Sequence, residues 1–497
     1  MPQPQLLVIG GGLGGIAAAL RSRALGYQVT LLERNPTLGG RGSGLYHNGW
    51  RYDSGPTVIT APHLLEELFT LFGQQLQQQL TLQPLQEYYR FHFPDGSHFA
   101  YGGQAEQIEA AVRAFAPADG DGYRALLEQA RQLFTIGFEQ LAERPFHHPA
   151  TLLRHTPELL RLGAWRSVHR SVARHLRDPR LRQVFSTPPL LVGGNPFDTT
   201  AIYLLIHYLE QRWGVHYPLG GVAALMTALH QLLRDAGVVV ETNCEVIEIQ
   251  SDHRRRVTGV RLATGEELPA NQIIADLDPL HLYQKLIGVQ RISPLARLRH
   301  RYLHHSMGLF LLHFATRQRY PAVGHHSILF GQQFRQPLEE IFYRGTIPQE
   351  FAIYLHHPSA TDPSAAPPDR DTFYALVPVP NLAAPIDWEQ AAPQLRQRLL
   401  DRLAATLLPG VEQQLLDEVM ITPHHFAKQL RSHLGCGFSI APRFQQSAWF
   451  RFHNRSPHLD GLYLVGAGTH PGAGVPGVLS SAKVVERLLQ ESQRSRK

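Results

Sequence analysis

Gly10-Gly11-Gly12-Leu13-Gly14-Gly15 stands between a short apolar run, residues 6–9, and an alanine-rich run, residues 16–25. A strand, a tight turn and a helix in that order fit the GxGxxG spacing of a dinucleotide site. Gly10 permits the turn, Gly12 lets backbone approach a pyrophosphate, and Gly15 lets helix and strand pack closely, with the helix N-terminus facing the phosphates. Leu13 and Gly14 belong to the same turn. Residues 29–32 read as the second strand and deliver Glu33, followed by Arg34, where a carboxylate holds ribose hydroxyls and disfavours an extra ribose phosphate. A second glycine-rich stretch lies at the other end of the chain, from Gly466 through Gly468 to Gly474 and Val475. It offers backbone N–H groups ahead of a helix expected to begin near Val478, and that N-terminus suits a reduced, anionic flavin ring. A nicotinamide cofactor needs no such second turn, so the cofactor expected is FAD.

Further glycines allow another close approach of backbone to the cofactor, at Gly39-Gly40-Arg41-Gly42 and at Gly55-Pro56-Thr57. Arg41 is a candidate partner for the pyrophosphate, and Val246 a candidate backbone contact for adenine. For proton transfer or electrostatic guidance the candidates are Arg154, Asp198, His207 and His216, whose spacing forms neither dyad nor triad. The 28 histidines include the pairs His147-His148, His304-His305, His325-His326, His356-His357 and His424-His425. No HExxH motif accompanies them, and scattered pairs lack ligand geometry, so no metal is expected. Trp213 and Trp449 are candidates to flank a substrate.

The 497 residues, 43% of them hydrophobic, can bury a large core. Two cysteines, Cys244 and Cys436, form no CxxC pair, which argues against a disulfide framework, an iron–sulfur cluster or a dithiol redox centre. The glycines among residues 6–20 disfavour a signal peptide, and no apolar run spans a bilayer cleanly. A net charge of +6 permits attraction to anionic surfaces. Arg254-Arg255-Arg256 reads as a solvated hairpin tip, so no nucleic-acid partner is expected.

Five stretches follow. Residues 1–104 form the first part of an FAD-binding domain; 105–215 are helical; 216–296 return to the FAD-binding domain; 297–425 read as a β-rich substrate domain; 426–497 complete the FAD-binding domain. Within the helical stretch, 157–185 carry apolar residues at helical spacing among arginines and histidines, which fits equally a membrane-surface helix and a core-facing helix with a solvated cationic side. Residues 185–208, apolar but broken by glycine and proline, suit the entrance for a greasy substrate.

The first glycine motif, Asp53-Ser54-Gly55-Pro56-Thr57-Val58-Ile59-Thr60, Leu190-Leu191-Val192-Gly193-Gly194-Asn195-Pro196-Phe197, Trp213-Gly214-Val215 with Pro218-Leu219-Gly220-Gly221, and the late glycine stretch resemble the bacterial-type phytoene desaturases over nearly the whole chain. Thr37-Leu38 departs from the lysine-proline type of sequence that relatives often carry there. The resemblance implies an α/β fold: a Rossmann-like FAD-binding domain of the glutathione-reductase/amine-oxidase type, a β-rich substrate domain and a helical membrane-associated region. It also implies an enzyme on the cytoplasmic side of a membrane, peripheral to it. Such an enzyme desaturates 15-cis-phytoene and its partly desaturated products stepwise to lycopene, or stops at neurosporene, with oxygen or quinone as acceptor. Relatives acting on other carotenoids (an isomerase, a diapophytoene desaturase, a later-step desaturase) stay open, as do, further off, an amine oxidase and an isoprenoid-binding escort protein.

Overall fold

The computed structural model describes residues 4–146 and 149–494. Its nucleotide-binding layer is a five-stranded parallel sheet assembled from distant parts of the chain, in the order Leu462–Leu464, Ile273–Ala275, Gln5–Ile9, Gln28–Leu32, Val239–Glu241. Gln5–Ile9 is central, buried after its first residue, as the apolar run requires of a strand covered on both faces. The helix Leu13–Ala24 packs against the last helix, Val475–Arg494. Ile16 and Leu20 share one core with Leu479 and Val485, so both ends of the chain are held by the same apolar burial.

A seven-stranded sheet forms the second layer, in the order Leu415–Ile421, Gly308–Thr316, Asp371–Val379, Ile353–His356, His326–Leu329, Tyr89–His92, His98–Tyr101. Side chains alternate across it, as a pleated strand demands. Phe310, Leu312 and Phe314 pack with Leu395 and Leu399 of the helix Trp388–Ala404, while Leu309 and Leu311 face a cavity between the layers. The stretch 297–425, read as β-rich, supplies five of these strands. A hairpin that turns at Asp95-Gly96 extends this sheet by parallel pairing of Tyr89–His92 with His326–Leu329. A small antiparallel sheet, Val246–Ser251, Val257–Leu262 and Glu267–Pro269, carries the arginine triplet exposed at its tip.

The helical stretch includes Ala105–Phe115, Gly120–Phe134, Pro149–Arg161, Val168–His175 and Pro179–Phe185. Over 157–185 the expected single amphipathic helix is three shorter ones, interrupted at Gly163 and ahead of Pro179, and Val168, Val172, Leu181 and Phe185 are buried in the core. Among the described residues no helix is long and apolar enough to cross a membrane.

Candidate active site

Between the two layers lies a cavity of about 500 Å³. One end is built from the glycine-rich turns. Gly10, Gly12, Leu13, Gly14, Glu33, Arg34, Gly40, Arg41, Gly55, Pro56, Thr57, Val246, Gly468, Gly474 and Val475 all line it. Gly15 and Gly466 sit just behind, against Asp276.

Asp276 follows the strand Ile273–Ala275, and its N–H donates to the Ile9 carbonyl at 2.8 Å. Its carboxylate reaches under the first turn, where the Gly15 N–H donates to Oδ2 at 2.8 Å. A Cβ at Gly12 would lie 2.5 Å from that same oxygen, and one at Gly10 2.6 Å from the Asp276 carbonyl. Glycine is therefore required by packing as well as by the turn. An acid at a helix N-terminus is the arrangement the helix dipole favours. Even so, burial pushes Asp276 up to about 6, against the hydrogen bond from Gly15 and the nearby Arg41. Sequence reasoning passed over Asp276 because only the sheet order brings it beneath the turn.

Glu33 is buried, and both its oxygens are occupied: Oε2 accepts the Gly11 N–H at 2.7 Å, and Oε1 accepts the Asn35 N–H and side-chain amide at 2.8 Å each. Arg34 donates to the carbonyls of Lys428 and Gln429 at 2.8 and 2.9 Å, joining the second strand to the C-terminal third. Arg41 donates to Ser432 Oγ at 2.9 Å and leaves Nε without a partner. The late glycine stretch is held from behind by Arg451, a fully buried guanidinium that donates to the Thr469 carbonyl at 2.9 Å and the Ala467 carbonyl at 2.6 Å. Nothing in its local sequence marks that role. The following helix begins at Val475, three residues earlier than read, and its first turn lines the cavity.

The other end of the cavity is apolar, walled by Phe138, Leu191, Leu205, Leu209, Ile328 and Tyr354. Of the entrance segment, Leu190, Leu191 and Val192 line it. One carboxyl group belongs to this end, that of Glu210 on the helix Leu205–Trp213. The other acids of the lining, Glu33, Glu245, Asp276 and Asp278, come from the nucleotide-binding segments. Burial raises Glu210 to about 7, partly offset by the Tyr89 hydroxyl, which donates to Oε1 at 2.9 Å. A carboxyl that changes charge near neutrality, in an apolar chamber, is equipped to take up a proton.

None of the four acid–base candidates reaches the cavity. Arg154 is exposed on Pro149–Arg161. Asp198 pairs with Arg443 at 2.8 Å. His207 is buried elsewhere, its Nε2 donating to the Phe185 carbonyl at 2.9 Å, and burial pulls it down to about 4. His216 sits in a short strand whose backbone pairs with Ile59. Trp213 packs on Phe134 and Phe138 outside the lining, and Trp449 meets Phe450 and His453 edge-on. Of the histidine pairs, His147-His148 lie outside the described residues. His325-His326 meets His356, a convergence that pair spacing alone did not reveal.

Residues 13–485 match the model of the flavin-containing amine oxidoreductase family. The fold is similar to that of a wild-type putrescine oxidase bound to putrescine, 15% identical with a TM-score of 0.65 over 98% of this chain and 99% of that one. Glycine-lined backbone, a buried acid after the second strand and a helix N-terminus at each turn suit FAD, and the protein is an FAD-dependent oxidoreductase of this class. A lycopene-forming phytoene desaturase of Pseudescherichia vulneris is 42% identical over 98% of this chain and 99% of its own length. A neurosporene-forming phytoene desaturase of Rhodobacter capsulatus is 39% identical over 98% and 94%. Within the class, the chain belongs to the phytoene desaturase family.

Proposed function

We propose that the protein desaturates phytoene and its partly desaturated products in carotenoid biosynthesis, removing a hydride and a proton from adjacent carbons at each step and ending at lycopene or neurosporene. The observation that carries this reading is a single cavity that joins a glycine-lined nucleotide end to an apolar end containing one carboxyl group. Bound FAD supplies the hydride acceptor, which no side chain of the apolar end could be. Glu33 holds the ribose, the two glycine turns approach the phosphates and the ring, and Arg41 offsets phosphate charge. The apolar walls exclude water and orient a substrate that has no polar handle, so shape and chain length set specificity. Glu210 takes the proton, in its ionised form.

In this organisation, residues 1–104, 216–296 and 426–497 hold the cofactor, 105–215 form the entrance, and 297–425 the substrate wall. Strands Tyr89–His92 and His98–Tyr101 pass to that wall. The substrate resides in a bilayer, and two basic surfaces expose apolar groups that fit one: Leu160 and Trp165 beside Arg161 and Arg166, and Leu295, Leu298 and Tyr302 beside Arg297 and Arg301. The protein is thus peripheral to a membrane, and oxygen or a quinone is the terminal acceptor.

The test is incubation of the FAD-loaded protein with phytoene-containing liposomes and an electron acceptor, followed by chromatography. More conjugated, coloured products are expected. Colourless products, or turnover of amines in their place, would overturn the reading.

A further inference from the structure

His326 and His356 stand opposite each other in the antiparallel pairing of His326–Leu329 with Ile353–His356, so their side chains leave the same face of the sheet. His325 folds onto them. Its ring centroid lies 4.5 Å from that of His326 and 4.8 Å from that of His356, and the latter two are 5.3 Å apart. All three residues are buried.

Each ring is pinned through one nitrogen. His325 Nδ1 shares a hydrogen bond with Thr361 Oγ1 at 2.7 Å. His326 Nδ1 donates to the Tyr88 carbonyl at 3.0 Å. His356 Nε2 donates to Asp53 Oδ2 at 3.1 Å, and hydrogen bonds from His356, Tyr217 and the Val222 N–H keep Asp53 ionised against its burial. The opposite nitrogens, Nε2 of His325, Nε2 of His326 and Nδ1 of His356, have no hydrogen-bond partner. The Thr57 carbonyl also faces His326 and is the one backbone acceptor that a metal at this ring would displace.

Three buried nitrogens left unsatisfied in one place are costly unless something occupies the space between them. A donor hydrogen bond on the far side of each imidazole is also how metal-binding histidines are oriented, by carboxylates and backbone carbonyls in an outer shell. We propose that His325, His326 and His356 bind one divalent transition metal with a preference for imidazole, zinc foremost. One ring nitrogen from each residue lies within 4.8 Å of the others. Zinc–nitrogen bonds of ~2.0–2.1 Å in tetrahedral geometry bring ligand atoms to about 3.4 Å apart, so modest ring rotations complete the site. Three imidazoles leave the fourth tetrahedral position to a water, and the site's role is to brace the fold. It ties two strands of the substrate wall together and, through Asp53, braces the segment 54–57 that lines the cavity.

The experiment equilibrates the FAD-loaded protein with zinc, removes excess by dialysis, and measures metal by mass spectrometry alongside thermal unfolding. One zinc per chain and a midpoint raised by several degrees are expected. His325→Ala and His356→Asn, made separately, should each lose the bound zinc while keeping flavin absorbance. Zinc-edge X-ray absorption on the wild type should read imidazole nitrogens at the metal, which keeps the test decisive if either variant fails to fold. Substoichiometric zinc with an unchanged midpoint, zinc retained by both variants, or absorption without imidazole ligands would overturn the proposal and leave a buried water as occupant.

Discussion

Asp276 Oδ2 accepts the Gly15 N–H at 2.8 Å across 261 residues of sequence, so an acidic side chain already occupies the helix N-terminus on which a dinucleotide phosphate is expected to rest. Two anions cannot share that place cheaply.

Proton uptake by Asp276 should therefore accompany FAD binding. Asp276 is raised to about 6, so it is neutral below that pH and charged above it. FAD affinity should rise several-fold as pH falls from 8 to 5.5, and Asp276→Asn should flatten the dependence while keeping an acceptor for Gly15. Fluorescence titrations at each pH provide the measurement. A wild type insensitive to pH would remove the argument.

Glu33→Ala should weaken FAD binding by roughly 10- to 100-fold, the equivalent of one or more hydrogen bonds to a charged group. It also strips the Gly11 and Asn35 N–H groups of their acceptor. Isothermal titration reads the affinity, and circular dichroism should show the fold retained. Equal affinity in mutant and wild type would deny Glu33 its role.

Turnover should increase with pH through about 7 and level off above it, because only ionised Glu210 accepts a proton. Glu210→Gln should be slower by about 100-fold and should lack that limb, with FAD binding unaltered. Stability carries the opposite sign. A carboxyl whose pKa is raised on folding stabilises the native state below its unfolded value, and that contribution is lost as pH climbs to 7. The glutamine variant should lose less stability than wild type between pH 5 and 8. A full-speed variant with an unchanged profile would assign the proton elsewhere.

Arg451→Met should lower stability by about 3 kcal/mol, since two buried carbonyls of the late glycine stretch lose a charged donor. Urea unfolding in the absence of FAD isolates this effect. Loss of FAD affinity without loss of stability would mean that Arg451 acts on the cofactor and not on the loop.

Leu295→Glu combined with Leu298→Glu should reduce sedimentation with anionic vesicles, as these side chains are 77% and 53% exposed on a basic helix. Phytoene turnover from liposomes should fall in parallel. Unchanged sedimentation would shift the membrane contact to Leu160 and Trp165.

What could be read from the residues, and what could not, follows from how far apart the partners lie. The first turn, Glu33 and the late glycine stretch were legible because each function is written in neighbouring positions. The β-rich character of 297–425 was legible from its composition. Glu210 was not, since a lone glutamate on an amphipathic helix normally faces water, and only the packing of Leu205–Trp213 against Tyr89 turns it inward. Asp276 and Arg451 depend on long-range pairing in the same way. The acid–base candidates at 154, 198, 207 and 216 were chosen by residue type, and tertiary structure leaves Arg154 exposed and places the other three away from the cavity lining. The histidine cluster required the pairing of positions 326 and 356, which no spacing rule supplies.

The strand Leu462–Leu464 pairs with Ile273–Ala275, and the last helix covers the first. During synthesis, then, a ribosome must pass residue 464 before the strand Ile273–Ala275 is paired on its outer edge, and residue 475 before the helix Leu13–Ala24 gains its largest cover. Until release, the nascent polypeptide displays an open strand edge and an uncovered greasy helix, a condition that invites aggregation and calls for chaperones. Loss of the helix Val475–Arg494 would uncover the first helix and remove the turn that lines the cavity, so flavin loading should fail with it.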